Sequence, residues 1–558
     1  MNKKVLIVGG VAGGASCAAR LRRLDEEAEI IIFERGEHVS YANCGLPYRV
    51  GGEIESRDAL LVLKTEFLRD RFKADVRLLS EVVSIDRKKK RVTVKELQSG
   101  RTYEESYDTL VLATGSSPLR PDIPGITSPR VATLWTVEDA ECIRAMIEQK
   151  SIESAVVVGG GFIGLETAEN LHAAGVKVTL IEALDQVMTP LDFEMAQLLH
   201  ERIRDAGVEL ILGDAVSSFR DEAGGVLLEL KSGKSVGAQL AILSIGVRPN
   251  CELARGAGLK VNERGGVVTD AAQRTSDPCI FAVGDVTEVE EFVMKGRAMI
   301  PLAGPSNKQG RVAADNIAGV GARYGGTQGT SIARVFGLAA AATGMNEKKL
   351  QKLGLEKGRD YESLIIAQKS HAGYYPGWTP LTLKLVFSLK DRRILGAQAV
   401  GGGADKRIDT ISAAMRFGAS VGDLKELEFA YAPPFSSAKD PVNMAGYVAE
   451  NLLAGLVRFC PWDEMERNPE ALLIEVREER ELAAYKAPGA LHIPLGKLRE
   501  RLGELEKYRG GEIIILCAIG ARAYTAARIL AQHGFENVSV YPGGAVLYRA
   551  VHHRARRG

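Results

Sequence analysis

Short apolar runs, rich in β-branched residues and closed by glycine, alternate along the first half of the chain with stretches of helical periodicity. Val5-Leu-Ile-Val8 is uninterrupted and ends on Gly9, the pattern of a strand buried on both faces. Gly9-Gly-Val-Ala-Gly-Gly14 follows, then a helix to about Leu24, then a strand from Glu29 to Phe33 that ends at Glu34. The unit returns at Ala155-Val-Val-Val158, with Gly159-Gly-Gly-Phe-Ile-Gly164, a helix, and a strand from Lys177 to Ile181 that ends at Glu182.

Each unit has the make-up of a turn that holds a pyrophosphate. Glycines allow the tight turn and bring backbone N–H groups up to the phosphate oxygens. The N-terminus of the following helix favours negative charge, and an acid ending the second strand accepts from a ribose hydroxyl. That acid lies 25 residues after Gly9 in the first copy and 23 after Gly159 in the second. The expected contacts are Gly9, Val11, Ala12, Gly14 and Glu34 for one dinucleotide, and Gly159, Gly161, Ile163, Gly164 and Glu182 for the other. Val11 stands where the middle glycine usually sits, so the first turn is expected to be slightly wider. Glu182 is followed by Ala183-Leu-Asp185, with no arginine to receive a 2′-phosphate. NADH is therefore expected in preference to NADPH.

Leu110-Val-Leu-Ala-Thr-Gly115 and Ile280-Phe-Ala-Val-Gly-Asp285 read as further strands ending on small-residue turns, with Asp285 placed to bind a polyol. The stretch from about Gly326 to Leu453 has no nucleotide turn. It has strand-like runs, Leu381-Thr-Leu-Lys-Leu-Val-Phe387 and Ile394 to Val400, and then helical periodicity. A linker follows at Arg458-Phe-Cys-Pro-Trp462, and short strands and helices alternate beyond it.

Composition narrows the picture. A chain of 558 residues is too long for one core. Its net charge of +1 argues against a nucleic-acid partner. The basic end, His552-His-Arg-Ala-Arg-Arg-Gly558, reads as a solvated tail. Seven cysteines, with no zinc-type pairing, fit a reducing compartment. The apolar run before Gly9 is too short for a secretion signal, and no run is long enough to span a membrane. A cytoplasmic protein is expected.

In their order, the two glycine turns and the two small-residue turns resemble the flavoprotein disulfide reductase family. The resemblance implies FAD at the first turn and a nicotinamide dinucleotide at the second. It adds Ala113, Thr114, Gly115, Asp285 and Ala303 to the flavin contacts, and makes the third region a homodimerisation domain. Ser40-Tyr-Ala-Asn-Cys-Gly-Leu-Pro-Tyr48 resembles the coenzyme A-disulfide reductase branch, which also holds NADH-dependent persulfide and polysulfide reductases. No second cysteine stands beside Cys44 in sequence. Cys17, on the first helix, is expected in the core, so Cys44 is expected to work alone, against an external sulfur. The resemblance implies that Arg20, Arg23 and Arg71 bind coenzyme A phosphates, with Ser40 and Asn43 near the pantetheine end. Arginine suits phosphate because its planar fork can bond two oxygens. Phe429-Ala-Tyr-Ala-Pro-Pro-Phe435 lacks the histidine that two-cysteine reductases use as proton donor. The resembled branch uses tyrosines, implying Tyr431 and also Tyr374 in His371-Ala-Gly-Tyr-Tyr-Pro376, where Tyr375 competes.

The last region resembles the rhodanese fold. Ile513-Ile-Ile-Leu516 leads into Cys517-Ala-Ile-Gly-Ala-Arg522, a strand, loop and helix whose N–H groups would hold an anionic persulfide on Cys517. Arg522 would close the loop electrostatically. Glu475-Val-Arg477 stands where Asp-Val-Arg is usual. Ala518, Ile519 and Ala521 make the loop apolar, better suited to persulfide than to thiosulfate. Cys142, Cys251, Cys279 and Cys460 show no chemistry of their own.

The expected fold is α/β: two Rossmann-like dinucleotide-binding domains, an α+β dimerisation domain and a C-terminal rhodanese-like α/β domain. The boundaries are 1–150 and 269–325 for the FAD domain, 151–268 for the NAD(H) domain, 326–453 for dimerisation, 454–464 for the linker and 465–554 for the rhodanese-like part. The expected activity is NADH-dependent reduction of coenzyme A persulfide, coenzyme A disulfide or polysulfide, with coenzyme A bound tightly and no metal. A single-cysteine NADH oxidase or peroxidase and a redox-sensing flavoprotein remain as alternatives. The valine and alanine at 11 and 12 weigh against the first, whose members usually carry histidine in that turn.

Overall fold

A computed structural model describes residues 3–552. The tail reading lies outside the described residues from 553 on. The chain divides into two compact units, one running to Leu184 with Ile211–Gly329, the other comprising Asp185–Leu210 with the residues from Thr330 on.

The first unit holds two parallel sheets. One has the strand order Ile280–Ala282, Thr109–Leu112, Lys4–Val8, Glu29–Phe33, Ala74–Arg77. Its uninterrupted apolar runs serve two cores at once, because successive side chains leave a strand on opposite faces. Val5, Ile7, Ile30, Ile32 and Val111 enter one core; Leu6, Val8, Ile31, Phe33, Leu110 and Leu112 enter the other. The second sheet places Ser154–Val158 between Lys177–Glu182 and Leu240–Leu243, with Val131–Thr133 outside the last. In the first unit the helix Ala12–Leu24 crosses Ala303–Ile317 so closely that a Cβ on Gly310 would lie 2.3 Å from the Gly13 carbonyl oxygen. Arg22, buried on the first of these helices, donates to the carbonyls of Phe72, Asp25, Glu26, Ala28 and Lys73.

The second unit holds an antiparallel sheet in the order Ser331–Val335, Leu338–Gly344, Ile394–Gly401, Pro380–Ser388, Tyr361–Lys369. It also holds a four-stranded parallel sheet, Leu491–His492, Leu472–Glu475, Ile513–Leu516, Val538–Val540. The mixed α/β architecture expected from the sequence is the one found. The segment Asp185–Leu210 falls in sequence within the span 151–268 but packs as part of this unit. Its helix, Phe193–Asp205, receives the Trp462 ring on Phe193 at 5.1 Å and the Arg549 guanidinium on Glu201 at 2.9 Å.

A buried cation ties this unit together. Lys384 is 1% exposed and sits in the middle of the apolar strand Pro380–Ser388. Its ammonium lies 2.8 Å from Asp192 and 2.7 Å from Glu347, and also contacts Glu194. Gln398 closes the shell, donating to the Asp192 carboxylate and accepting from the Asp192 N–H. The carboxylates hold Lys384 well above its ordinary pKa against the opposing effect of burial. Burial and the neighbouring carboxylates push Glu194 up, whereas Lys384 and Lys357 outweigh burial at Glu347 and draw it down to about 2. Lys384→Met should destabilise the chain by about 3–5 kcal/mol, because it leaves the carboxylates buried without their cation. Chemical denaturation followed by fluorescence measures this; a loss below about 1 kcal/mol would refute the role assigned to the cluster.

Candidate active site

The two glycine turns are built alike. Gly9 has φ of 98° and Gly159 of 110°, the region that favours glycine. A Cβ on Gly14 would sit 1.9 Å from the Gly9 carbonyl oxygen, and one on Gly164 would sit 1.9 Å from that of Gly159. The first turn is therefore not wider, contrary to the expectation from Val11. Val11 has φ of −74° and Gly161 of −79°, so neither position needs a glycine conformation. The helices that follow, Ala12–Leu24 and Phe162–Ala173, have no side-chain cap and no acid in the first turn. Their leading N–H groups are left for an anion. Glu34 accepts from the N–H groups of Gly10 and Gly36 at 3.0 and 2.9 Å, and Glu182 from those of Gly160 and Leu184 at 2.6 and 2.9 Å. Each acid is thereby held against its own turn. Ala113 donates to the Val8 carbonyl, and Thr114 and Gly115 exchange hydrogen bonds with Asn250. Asp285 accepts from Ser116 at 3.0 Å and Ser306 at 3.4 Å, and burial pushes its carboxyl up. Ala303 opens the helix Ala303–Ile317, which also lacks a side-chain cap. The residues present fit two dinucleotides.

Cys44 lies in the 3-10 turn Asn43–Gly45, exposed like Asn43 beside it, while Ser40 is buried. Cys17 is fully buried in the core, as expected, and that burial pushes its thiol to about 12. Desolvation, then the carboxylates of Glu166 and Asp285, push the Cys44 thiol up. Tyr48 donates to Glu166 at 3.2 Å, so the helix after Cys44 is fastened to Phe162–Ala173.

In the second unit the hydroxyls of Tyr374 and Tyr431 are 2.8 Å apart, and both rings are exposed. Tyr375 turns instead to the ring of His371. The pair stands on a buried network. Arg407 bonds Asp440, Ser436 and the Ser370 carbonyl, and Ala372 donates to the Ser436 carbonyl. The loops carrying the two tyrosines are thereby pinned to each other.

Cys517 follows the strand Ile513–Leu516 and is buried. Its sulfur accepts from the N–H groups of Gly520 at 3.1 Å and Ala523 at 3.3 Å. Arg522 does not reach over the loop unencumbered. It makes a two-point pair with Glu481, at 2.6 and 2.7 Å, which draws Glu481 down to about 2. Glu475 and Arg477 form a buried pair at 2.7 Å, so the longer carboxylate still holds its arginine. Cys460 is buried, its thiol pushed to about 12.

The pyridine nucleotide-disulphide oxidoreductase family matches residues 3–310, and its dimerisation domain matches 330–441. The chain belongs to this family. A rhodanese-like domain matches 462–550. Coenzyme A disulfide reductase from Staphylococcus epidermidis is 36% identical over 452 residues, 81% of this chain and all of that one. The structure of reduced CoADR-RHD from Bacillus anthracis superposes with a TM-score of 0.94 at 46% identity, covering 99% of this chain and 98% of that one. A NAD-dependent persulfide reductase from A. fulgidus gives 0.91 at 38% identity, covering 98% and 100%.

Membership of the pyridine nucleotide-disulphide oxidoreductases makes the chain a flavoprotein oxidoreductase using FAD and NAD(P)H. Among the described residues no helix is long and apolar enough to cross a membrane. The three arginines expected at coenzyme A are divided. Arg23 lies over the Phe72 ring and Arg71 over the Phe67 ring, and the two rings pack 5.8 Å apart. Arg20 is instead paired with Asp315 at 2.6 Å. Sequence reasoning missed Glu166, Tyr48, Arg407, Asp440 and Glu481. Only the Asp440-Pro-Val-Asn443 helix start offered a local signal, a capping box.

Gly14→Val places side-chain atoms where the Gly9 carbonyl already lies. The purified variant should carry no FAD, read from its visible absorbance. FAD retained at full occupancy would show that the turn does not require this clearance.

Proposed function

We propose that this flavoprotein reduces coenzyme A persulfide, coenzyme A disulfide or polysulfide, with NADH as donor. The observation that carries the reading is the separation of two thiols. Cys44 stands at the surface in the turn Asn43–Gly45, its thiol pushed up by desolvation and by the charges of Glu166 and Asp285, with Cys17 sealed in the core. Cys517 sits on backbone donors. A lone redox cysteine must form its mixed disulfide with an external sulfur. The relatives named for coenzyme A disulfide and for persulfide agree with that requirement.

Bound FAD supplies two-electron transfer between the nicotinamide and sulfur. The first turn, with Glu34 and Asp285, would hold the flavin dinucleotide; the second, with Glu182, would hold NADH. The Cys44 thiolate attacks the coenzyme A sulfur, forming the Cys44–coenzyme A disulfide and expelling coenzyme A thiolate or hydrosulfide. The Tyr374–Tyr431 pair, serving the other protomer of a homodimer, donates a hydrogen bond to the developing thiolate and keeps its own proton. NADH and one proton then supply the two electrons that return Cys44 and coenzyme A as thiols. In sum, coenzyme A persulfide, NADH and a proton give coenzyme A, hydrogen sulfide and NAD⁺. A homodimer is supported by the dimerisation domain and by the exposed Phe417 and Phe435 of that unit. Arg23 and Arg71 would bind coenzyme A phosphate, with Ser40 and Asn43 near pantetheine. The Cys517 loop would carry sulfane sulfur as an anionic persulfide, and Arg522 would orient the loop through Glu481.

Glu182→Ala should narrow the preference for NADH, since it removes both a ribose acceptor and the charge opposing a 2′-phosphate. Comparing kcat/KM for the two donors tests this, and a wild-type preference for NADPH refutes it. Cys44→Ser should keep FAD while NADH-dependent reduction of every sulfur acceptor falls to background. Cys517→Ser should keep coenzyme A disulfide reduction and lose sulfur transfer to cyanide. The reading fails if Cys44→Ser reduces at the wild-type rate, or if a folded, FAD-loaded Cys517→Ser loses disulfide reduction.

A further inference from the structure

The Cys517 loop does not stand on its own segment alone. The Cys517 carbonyl accepts from the Ala545 N–H at 2.8 Å. The residue before Ala545 is Gly544, with φ of 63°, and a Cβ there would lie 2.6 Å from the carbonyl oxygens of both Cys517 and Ala518. Only glycine lets this backbone come so near the loop. Gly543, with φ of 65°, donates to the Ile365 carbonyl at 3.2 Å, and a Cβ on it would lie 3.3 Å from Ile365 Cγ2. Ile365 belongs to the strand Tyr361–Lys369 of the antiparallel sheet, where it pairs with Lys384. A continuous backbone path therefore runs from the charge-locked sheet, through two adjacent glycines, to the carbonyl of the sulfur-bearing cysteine. On the other side of that cysteine lie the N–H donors of Gly520 and Ala523, whose aim at the sulfur depends on where the loop is held.

We propose that Gly543 and Gly544 are positioning residues through which the strand Tyr361–Lys369 sets the Cys517 loop, so that sulfur transfer is governed from outside the rhodanese-like segment. The proposal rests on the reading of Cys517 as the sulfur carrier. In the transfer step the terminal sulfur of the Cys517 persulfide passes to cyanide, the sulfur–sulfur bond breaks, and thiocyanate and the Cys517 thiolate result. The loop must hold that thiolate as it departs, and a displaced loop holds it less well.

The test uses the full-length, FAD-loaded protein. Gly544→Ala forces the loop away from the glycine turn. Sulfur transfer from a persulfide donor to cyanide should fall by about 10²-fold in kcat, with the donor KM unchanged. NADH-dependent coenzyme A disulfide reduction should be unaltered. Cys460, in the linker but buried in one cluster with Tyr541 and Ala545, reports whether the fold survives: it should stay protected from iodoacetamide. If Gly544→Ala unfolds the segment and Cys460 reacts, Ile365→Ala decides. It lies outside the rhodanese-like segment and loosens the seat of Gly543, so it should lower kcat for transfer in the same direction. Wild-type transfer in a folded Gly544→Ala, or in Ile365→Ala, overturns the proposal. Cys517→Ser measured in parallel separates the two readings. Transfer surviving there sinks the sulfur-carrier assignment, whereas transfer lost there but intact in Gly544→Ala sinks only the positioning role.

Discussion

A buried ammonium must be neutralised where it sits, because water cannot reach it. Lys384 is neutralised by Asp192 and Glu194, from the start of one helix, and by Glu347, from a distant part of the chain. That requirement ties the segment Asp185–Leu210 to the antiparallel sheet rather than leaving it with the nucleotide domain that surrounds it in sequence. The helix Phe193–Asp205, so anchored, offers Phe193 and Glu201 to Trp462 and Arg549. The strand paired with Lys384 meets Gly543 at Ile365, and beyond Lys369 it leads into the loop that bears Tyr374. The sheet, the rhodanese-like segment and one candidate proton donor thus share a single electrostatic anchor.

The two thiols are handled in opposite ways. Around Cys44, desolvation first and then the carboxylates of Glu166 and Asp285 disfavour a resting thiolate in the chain alone. Around Cys517 the protein places N–H groups, which donate to the sulfur and favour its anionic form. Such a contrast suits one thiol that reacts by redox exchange and another that stores sulfur. Each site is held by buried or half-buried polar pairs: Tyr48 with Glu166 near the first, Glu481 with Arg522 and Glu475 with Arg477 near the second. Arg407 with Asp440 does the same for the tyrosines.

Resemblance to known families marked the two cysteine loops, while the glycine turns, the parallel strands and the acids at 34 and 182 were legible in the sequence itself. Each rests on local physics: a run of apolar residues long enough for a buried strand, a left-handed turn that needs glycine, a fixed spacing to an acid. The expected wider turn at Val11 did not appear, because that position has ordinary negative φ and glycine is not needed there. The pairing of Arg20 with Asp315 and of Arg522 with Glu481 could not be read, since the partners lie 295 and 41 residues away.

By itself, then, the order of residues determined the fold class and the two glycine turns with their acids, set by backbone sterics and short-range periodicity, while resemblance to known families singled out Cys44 and Cys517 as candidates. The tertiary structure alone decided which tyrosine hydroxyls meet, where the segment Asp185–Leu210 belongs, and what holds the Cys517 loop. Those outcomes depend on charges and hydrogen-bonding groups that must be satisfied when buried. Their partners are chosen by proximity in the folded chain, not by distance along it.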